Sequence, residues 1–267
     1  MSARLAMEAR NVSKTFGQGA REVRALSDVS LEVRRGELTL LMGPSGSGKT
    51  TLLSILGCIL SASSGEVWVA GHPTAQLNPE GLAALRRRYL GFIFQSYNLF
   101  PTLTAAENVL LALKVRGIEG READRLTAAA LAEVGMSSKA NAHPGTLSGG
   151  QQQRLAIARA LAGDPAILLA DEPTAALDTE NGAAVMDLLA GIAKKGDRAV
   201  LAVTHDPRTI RYADRVIEIL DGRIVGDAPP GVSGAVSPVA GDHVVELRDA
   251  KGKSRHEHAG RGRKRRR

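Results

Sequence analysis

A single cysteine stands in a chain of 267 residues. Cys58 alone excludes a disulfide framework within the chain and suits a reducing compartment. Lying in an apolar run after a Gly-rich loop, it reads as a small core residue rather than a nucleophile. Aromatics are equally scarce, at 3%. Leu, Val, Ile and Ala must therefore fill the core, and 43% apolar residues suffice to build one. No run reaches the ~18 apolar residues of a membrane-spanning helix. The opening MSARLAMEAR lacks the apolar stretch of a secretory signal, so a soluble, unexported protein is expected.

Excess charge is missing from most of the chain, despite a formal +7. Between Lys251 and Arg267 nine Lys or Arg face one acid, Glu257, so that stretch carries +8 and the rest −1. No aromatics interleave with these basic residues, which argues against nucleic acid as a partner. Contact with anionic lipid headgroups and a solvated end without a role both stay open. The element pattern stops near residue 229, where PPGVSGAVSPVAG begins. Disorder is expected from there to residue 267.

What is present centres on GPSGSGKTT, Gly43 to Thr51. It contains G-x-x-x-x-G-K-[ST] in full, as Gly43, Gly48, Lys49 and Thr50. The apolar LTLLM leads into it, and the helical pattern TLLSILGCI follows. This is the strand–loop–helix setting of a phosphate-binding loop. Backbone N–H groups and a helix N-terminus would hold phosphate oxygens. Lys49 would reach the β- and γ-phosphates, and the Thr50 hydroxyl a magnesium ion, Mg²⁺. A second anchor is ILLADE, an apolar strand ending in two acids. Asp171 could hold the metal through water, and Glu172 could polarise a water aimed at the γ-phosphate. A third is LSGGQ, Leu147 to Gln151, a Gly-rich turn that opens a helix and makes another anion-binding start. Phe16, beside Gly17, is either a core residue or a flat face for a purine.

Alternating strands and helices predict an α/β fold with a mostly parallel sheet. Residues 4–40 read as short strands and turns. The helix-rich stretch from about 79 to 163 reads as a helical subdomain inserted into that core. RVIEILDGRIV reads as a hairpin turning at Asp221-Gly222.

LSGGQ lying between a phosphate loop and ILLADE resembles the ATP-binding subunit of an ABC transporter, over roughly residues 5–226. The resemblance implies a P-loop NTPase core with an N-terminal antiparallel β-subdomain and the inserted helices, as one ATPase domain over 4–228. It implies two copies pairing head to tail in the ATP-bound state, with ATP and Mg²⁺ between them. Gly43, Ser45, Gly46, Ser47, Gly48, Lys49, Thr50 and Thr51 match the phosphate loop. Gln95, after GFIF, matches the glutamine that contacts metal and water and signals to the membrane subunit. Ser148, Gly149, Gly150 and Gln151 match the signature that closes on the partner's γ-phosphate. Asp171 matches the metal-associated acid, Glu172 the base and His205 the switch histidine. Asp178, in Ala175–Asp178, matches the loop facing the partner; it could equally cap the next helix.

Two departures stand out. The aromatic near adenine is usually tyrosine and here is Phe16, which keeps a stacking face. The loop before Leu177-Asp178 begins with alanine rather than serine or glycine. With Lys49, Gln95, Glu172 and His205 present, an active ATPase is expected.

ILGCIL, GFIFQSYNLFPTLTAAENV and LADEPTAALD are most similar to lipoprotein-releasing and macrolide-efflux subunits. These sit on the cytoplasmic face of the inner membrane beneath a four-helix permease, some with a membrane-fusion protein. SYNLFPTLTAAEN should then form the groove for the permease's cytoplasmic helix. The alternative is a soluble ABC-type ATPase of DNA repair or chromosome maintenance. Those carry long coiled-coil inserts, whereas Gln95 to Leu147 spans only about 50 residues without sustained heptads.

Overall fold

Every residue of Leu38–Met42 is buried, including Thr39. A strand so apolar on both faces must be covered on both, and the chain supplies two different covers. The computed structural model describes residues 5–17, 19–195 and 198–231. The basic stretch 251–267 and the rest of the chain beyond 231 lie outside them.

In chain order the elements are β1 (Leu5–Phe16), β2 (Val23–Arg34), β3 (Leu38–Met42) and α1 (Lys49–Leu56). Then come β4 (Ser64–Val69), the short β5 (His72–Pro73), α2 (Pro79–Tyr89) and β6 (Leu90–Ile93). Three helices follow: α3 (Ala105–Val115), α4 (Gly120–Glu133) and α5 (Gly149–Leu161). The chain continues with β7 (Ile167–Asp171), α6 (Thr179–Lys195), β8 (Ala199–Thr204), β9 (Arg215–Leu220) and β10 (Arg223–Ala228).

The strands form two sheets. One is antiparallel, ordered β2-β1-β4-β5, and the other is ordered β10-β9-β3-β8-β7-β6. In the second, β9, β3, β8, β7 and β6 run parallel and only β10 is antiparallel. Alternate residues enter different cores. Leu38, Leu40, Leu168, Ala170, Val200 and Ala202 pack with α3, α4, α5 and α6. Leu41, Ile167, Leu169, Leu201 and Val203 pack with α1 and the antiparallel sheet.

The stretch expected as a helical insertion, 79–163, is interrupted by β6, which is hydrogen-bonded to β7 in the main sheet. Helices α3, α4 and α5 pack on one another beyond it. Local signals start the helices. Asn78 accepts a hydrogen bond from Gly81 N before Pro79 opens α2. Thr104 and Glu107 close a reciprocal capping box on α3.

Register gathers the loops that matter. Met42 pairs with Thr204, and Asp171 with Val203. The chain therefore leaves β3, β7 and β8 at one carboxyl edge, where parallel α/β sheets hold their ligands. The hairpin at Asp221-Gly222 has φ of 46° and 74°, the primed turn such hairpins favour. Gly222 then donates to Ser47 O at 3.0 Å and accepts from Ser27 N at 2.8 Å, bracing the phosphate loop.

Candidate nucleotide site

The loop from Gly43 to Gly48 turns tightly between β3 and α1. Gly48 sits at φ 101°, and a Cβ there would meet Ala25 O at 2.6 Å. Gly46, at φ 80°, faces open space. Gly46 leaves room for an anion against the backbone, and Gly48 permits the close approach of Ala25. Ser47 Oγ is buried without a hydrogen-bond partner. A buried hydroxyl of that kind fits a phosphate oxygen. Lys49 is 7% exposed, and its Nζ donates to Gly43 O at 2.8 Å and Pro44 O at 2.7 Å. Burial holds its pKa below the ordinary lysine value, with Glu172 and Asp171 opposing. Ser45 and Thr50 are exposed, and Thr51 is half-buried.

Thr50 Oγ1 lies 3.4 Å from Asp171 Oδ1, joining loop to strand end. Burial raises the Asp171 pKa first and the neighbouring Glu172 charge adds to it; Thr50 and Lys49 pull the other way. Two crowded, partly desolvated carboxylates beside a hydroxyl would be relieved by a divalent cation, so the donor set fits magnesium. Among the described residues no cluster of three or more His, Cys, Asp or Glu could hold a metal without help. Phosphate oxygens and water would complete the shell.

Glu172 has φ 47°, uncommon for a residue other than glycine, and directly precedes Pro173. Its N–H donates to Val203 O at 3.0 Å. Its Oε1 lies 2.7 Å from His205 Nδ1, so the two side chains meet directly. The Glu172 side chain is 15% exposed and His205 63%. The structure thus gathers the phosphate loop, Asp171, Glu172 and His205.

Other expected residues stand apart. Ser148 is the N-cap of α5: its Oγ accepts from Gln151 N, and Gln151 Oε1 accepts from Ser148 N at 3.0 Å. Gly149 and Gly150 begin that helix, and no hydrogen bond joins Ser148–Gln151 to the phosphate loop among the described residues. Asp178 caps α6, accepting from Asn181 N at 2.9 Å, and this lowers its pKa. Gln95 is exposed just past β6. Phe16 ends β1 at 42% exposure, with Lys14 Nζ 5.1 Å from its ring centre. Cys58 is buried and burial pushes its thiol up to about 11, a core residue as expected.

Two features escaped the sequence reading. Gln153 is fully buried and donates to Pro173 O at 2.7 Å. A polar residue on the apolar stripe of α5, between Gly150 and Ile157, was the signal for it. The second is the breadth of a cavity of about 510 Å³ beside β6. Of the stretch 96–108, Asn98, Phe100 and Asn108 line it while Leu99 and Pro101 do not, and Ile59, Arg86, Arg87, Val115, Arg116 and Arg159 join them.

A parallel-sheet edge carrying a phosphate loop, a hydroxyl–carboxylate pair and a second acid defines a nucleoside-triphosphate-binding protein. The ABC transporter family model matches residues 26–175. The chain belongs to that family and is one of its ATP-binding ATPase cassettes. The chain is 46% identical over 221 residues to the macrolide export ATP-binding/permease protein MacB of Neisseria gonorrhoeae, covering 83% of this chain and 34% of that protein. For MacB of Salmonella typhimurium the identity is 44% over 223 residues, with 84% and 34% covered. The chain thus spans about a third of the length of these relatives.

Among solved structures, the bacterial ABC transporter cassette MJ0796, a dimer bound to ADP and Pi, matches with TM-score 0.76 and 40% identity. That match covers 84% of this chain and 98% of the other. CbiO1 of Clostridium perfringens, part of an ABC transporter complex, matches with TM-score 0.77 and 27% identity, covering 85% and 89%.

Proposed function

We propose that this cassette hydrolyses ATP as a head-to-tail homodimer and powers an integral membrane permease of the macrolide-efflux type. The observation that carries the reading is the meeting of Thr50, Asp171, Glu172 and His205 beside the phosphate loop. Lys49 leaves the loop carbonyls for the β- and γ-phosphates, and Phe16 offers a face to adenine. Thr50, Asp171 and Gln95 would hold Mg²⁺, which when bound would spread charge off the phosphate oxygens. The signature Ser148–Gln151 closes on the partner's nucleotide, with Asp178 beside it.

Glu172 accepts a proton from the water that attacks the γ-phosphorus. The bond from that phosphorus to the β-bridging oxygen breaks, leaving ADP and inorganic phosphate. His205 Nδ1 orients Oε1 of Glu172 and leaves Oε2 to take the proton.

The cavity beside β6 is the seat of the permease's cytoplasmic helix. Ile59, Phe100 and Val115 are exposed at 57%, 49% and 62% along it, and no acid among the described residues lines it. An apolar helix bearing an acid suits such a groove. The permease is of the four-helix kind, and a membrane-fusion protein joins through it. No described helix is long and apolar enough to cross a membrane. The cassette acts on its permease by docking from the cytoplasmic face. The basic stretch 251–267 can add attraction to anionic lipid.

Co-purification from solubilised membranes tests the reading. A permease in the eluate is expected. Recovery with chromosomal proteins alone would move the chain to the soluble class.

A further inference from the structure

Glu172 holds a left-handed backbone, at φ 47°, immediately before a proline. Both features disfavour that geometry, and such a residue stays put only where neighbours over-determine it. Its own contacts supply part of the restraint. Glu172 N binds Val203 O, Ala175 N binds Glu172 O at 3.2 Å, and His205 holds the carboxylate. The remaining tie comes from another element. Gln153, fully buried on α5, donates its Nε2 to Pro173 O at 2.7 Å.

The Oε1 of Gln153 is buried and has no partner. Burying an acceptor unsatisfied is costly, and a methionine would fill the place without that cost. The amide is therefore a poor choice for packing, and its one bond ends on the carbonyl of the residue after Glu172. A turn earlier the same helix abuts Leu177 of that loop and the first turn of α6. A Cβ on Gly150 would meet Asn181 Oδ1 at 2.5 Å, and one on Gly149 would meet Leu177 Cδ2 at 3.5 Å.

We propose that Gln153 is a positioning residue for hydrolysis, pinning the carbonyl of Pro173, the residue next to Glu172, to α5 so that the carboxylate keeps its line to the attacking water. It also ties the helix that begins at Ser148 to the base of its own subunit. Movement of the signature then reaches Glu172 through one hydrogen bond. The inference rests on Glu172 being the base, as proposed above.

Steady-state hydrolysis by the full chain tests it, with Gln153→Met as the main variant. Wild-type turnover comes first: no Mg²⁺-dependent hydrolysis would sink the proposed function itself, before the variant is considered. With wild type active, kcat should fall about tenfold to a hundredfold while KM and ATP affinity stay within about twofold, since small misplacements of a reacting group have that effect. In a Glu172→Gln background, Gln153→Met should add nothing to the loss, because the group it positions is gone. Unchanged kcat, or a further loss on top of Glu172→Gln, would overturn the proposal. Should Gln153→Met fail to fold, Gln153→Glu decides. Its protonated carboxyl can donate to Pro173 O, so activity relative to wild type at the same pH should recover as pH falls. A flat ratio would count against the role.

Discussion

At the scale of the residue, the site depends on a few groups held against their preferences. Glu172 is the sharpest case, because strain, burial and a direct bond to His205 converge on one carboxylate. Glu172→Gln keeps the shape and removes the proposed base. Turnover should fall by roughly a hundredfold to a thousandfold, the loss of about 2.7–4 kcal/mol seen when one preorganised charge-stabilising group is removed. ATP should still bind, and an ATP-bound dimer should accumulate on size exclusion. Turnover at the parent rate would remove Glu172 from its role. Lys49→Ala acts earlier in the cycle. Its ammonium is buried among loop carbonyls and opposes two nearby acids, so its loss should weaken ATP binding itself, read by calorimetry. Motif spacing made Lys49, Thr50, Asp171 and Glu172 legible, because each is tied to a loop or strand end of fixed geometry. Gln153 was not legible as functional. Its partner is a main-chain oxygen 20 residues away, and no side-chain pattern marks a carbonyl.

Elements set how those groups move. Helix α5 starts in a capping box of Ser148 and Gln151, and α3 in one of Thr104 and Glu107. Each Ser or Thr cap is worth about 1 kcal/mol, so Ser148→Ala and Thr104→Ala should each lower Tm by about 2–4 °C. Only Ser148→Ala should also reduce hydrolysis, since Thr104 lies away from the nucleotide residues. Equal loss of activity in both would mean the signature serine acts only as a cap. The turn after β8 adds a pH dependence. Asp206 accepts from Arg208 Nε and from Arg208 N, and these bonds, the side-chain one foremost, hold its pKa below the ordinary carboxylate value. Its folded pKa is depressed, so its stabilisation is present above the ordinary carboxylate range and is lost as pH falls through the lower folded value. Asp206→Asn should flatten the acid limb of Tm against pH. Apolar period and caps make nearly every element readable, and GFIF reads as a buried strand, yet that strand falls inside the span 79–163 read as inserted helices. Leu90–Ile93 is only four residues long, and its membership of the main sheet is decided by pairing with Ile167–Ala170, a long-range contact.

Across the whole molecule, the two ends of the proposed cycle lie on different surfaces that α5 connects. Gly149 and Gly150 open it, Gln153 reaches Pro173, and Arg159 donates to Tyr97 O and to Asn98 O. Tyr97 and Asn98 both hold positive φ, and Asn98 lines the groove beside β6. Asn108 fixes the far wall of that groove, binding Phe100 through both N and O. The groove is therefore rigid where it meets α5 and apolar where it is open. Three of its four arginines spend hydrogen bonds on carbonyls: Arg86 on Cys58, Arg116 on Leu90 and Arg159 on Tyr97. Among the described residues none has a carboxylate partner there, so positive charge would face the proposed helix. Phe100→Ser removes an exposed ring without touching the main-chain bonds to Asn108, so ATP binding and basal hydrolysis by the free chain should stay within about twofold of wild type. Recovery of the permease in a membrane pull-down should fall sharply, and stimulation of hydrolysis by the permease with it. Unchanged recovery would place the docking surface elsewhere. Loss of recovery together with loss of basal hydrolysis would mean that Phe100 supports the cassette rather than the contact.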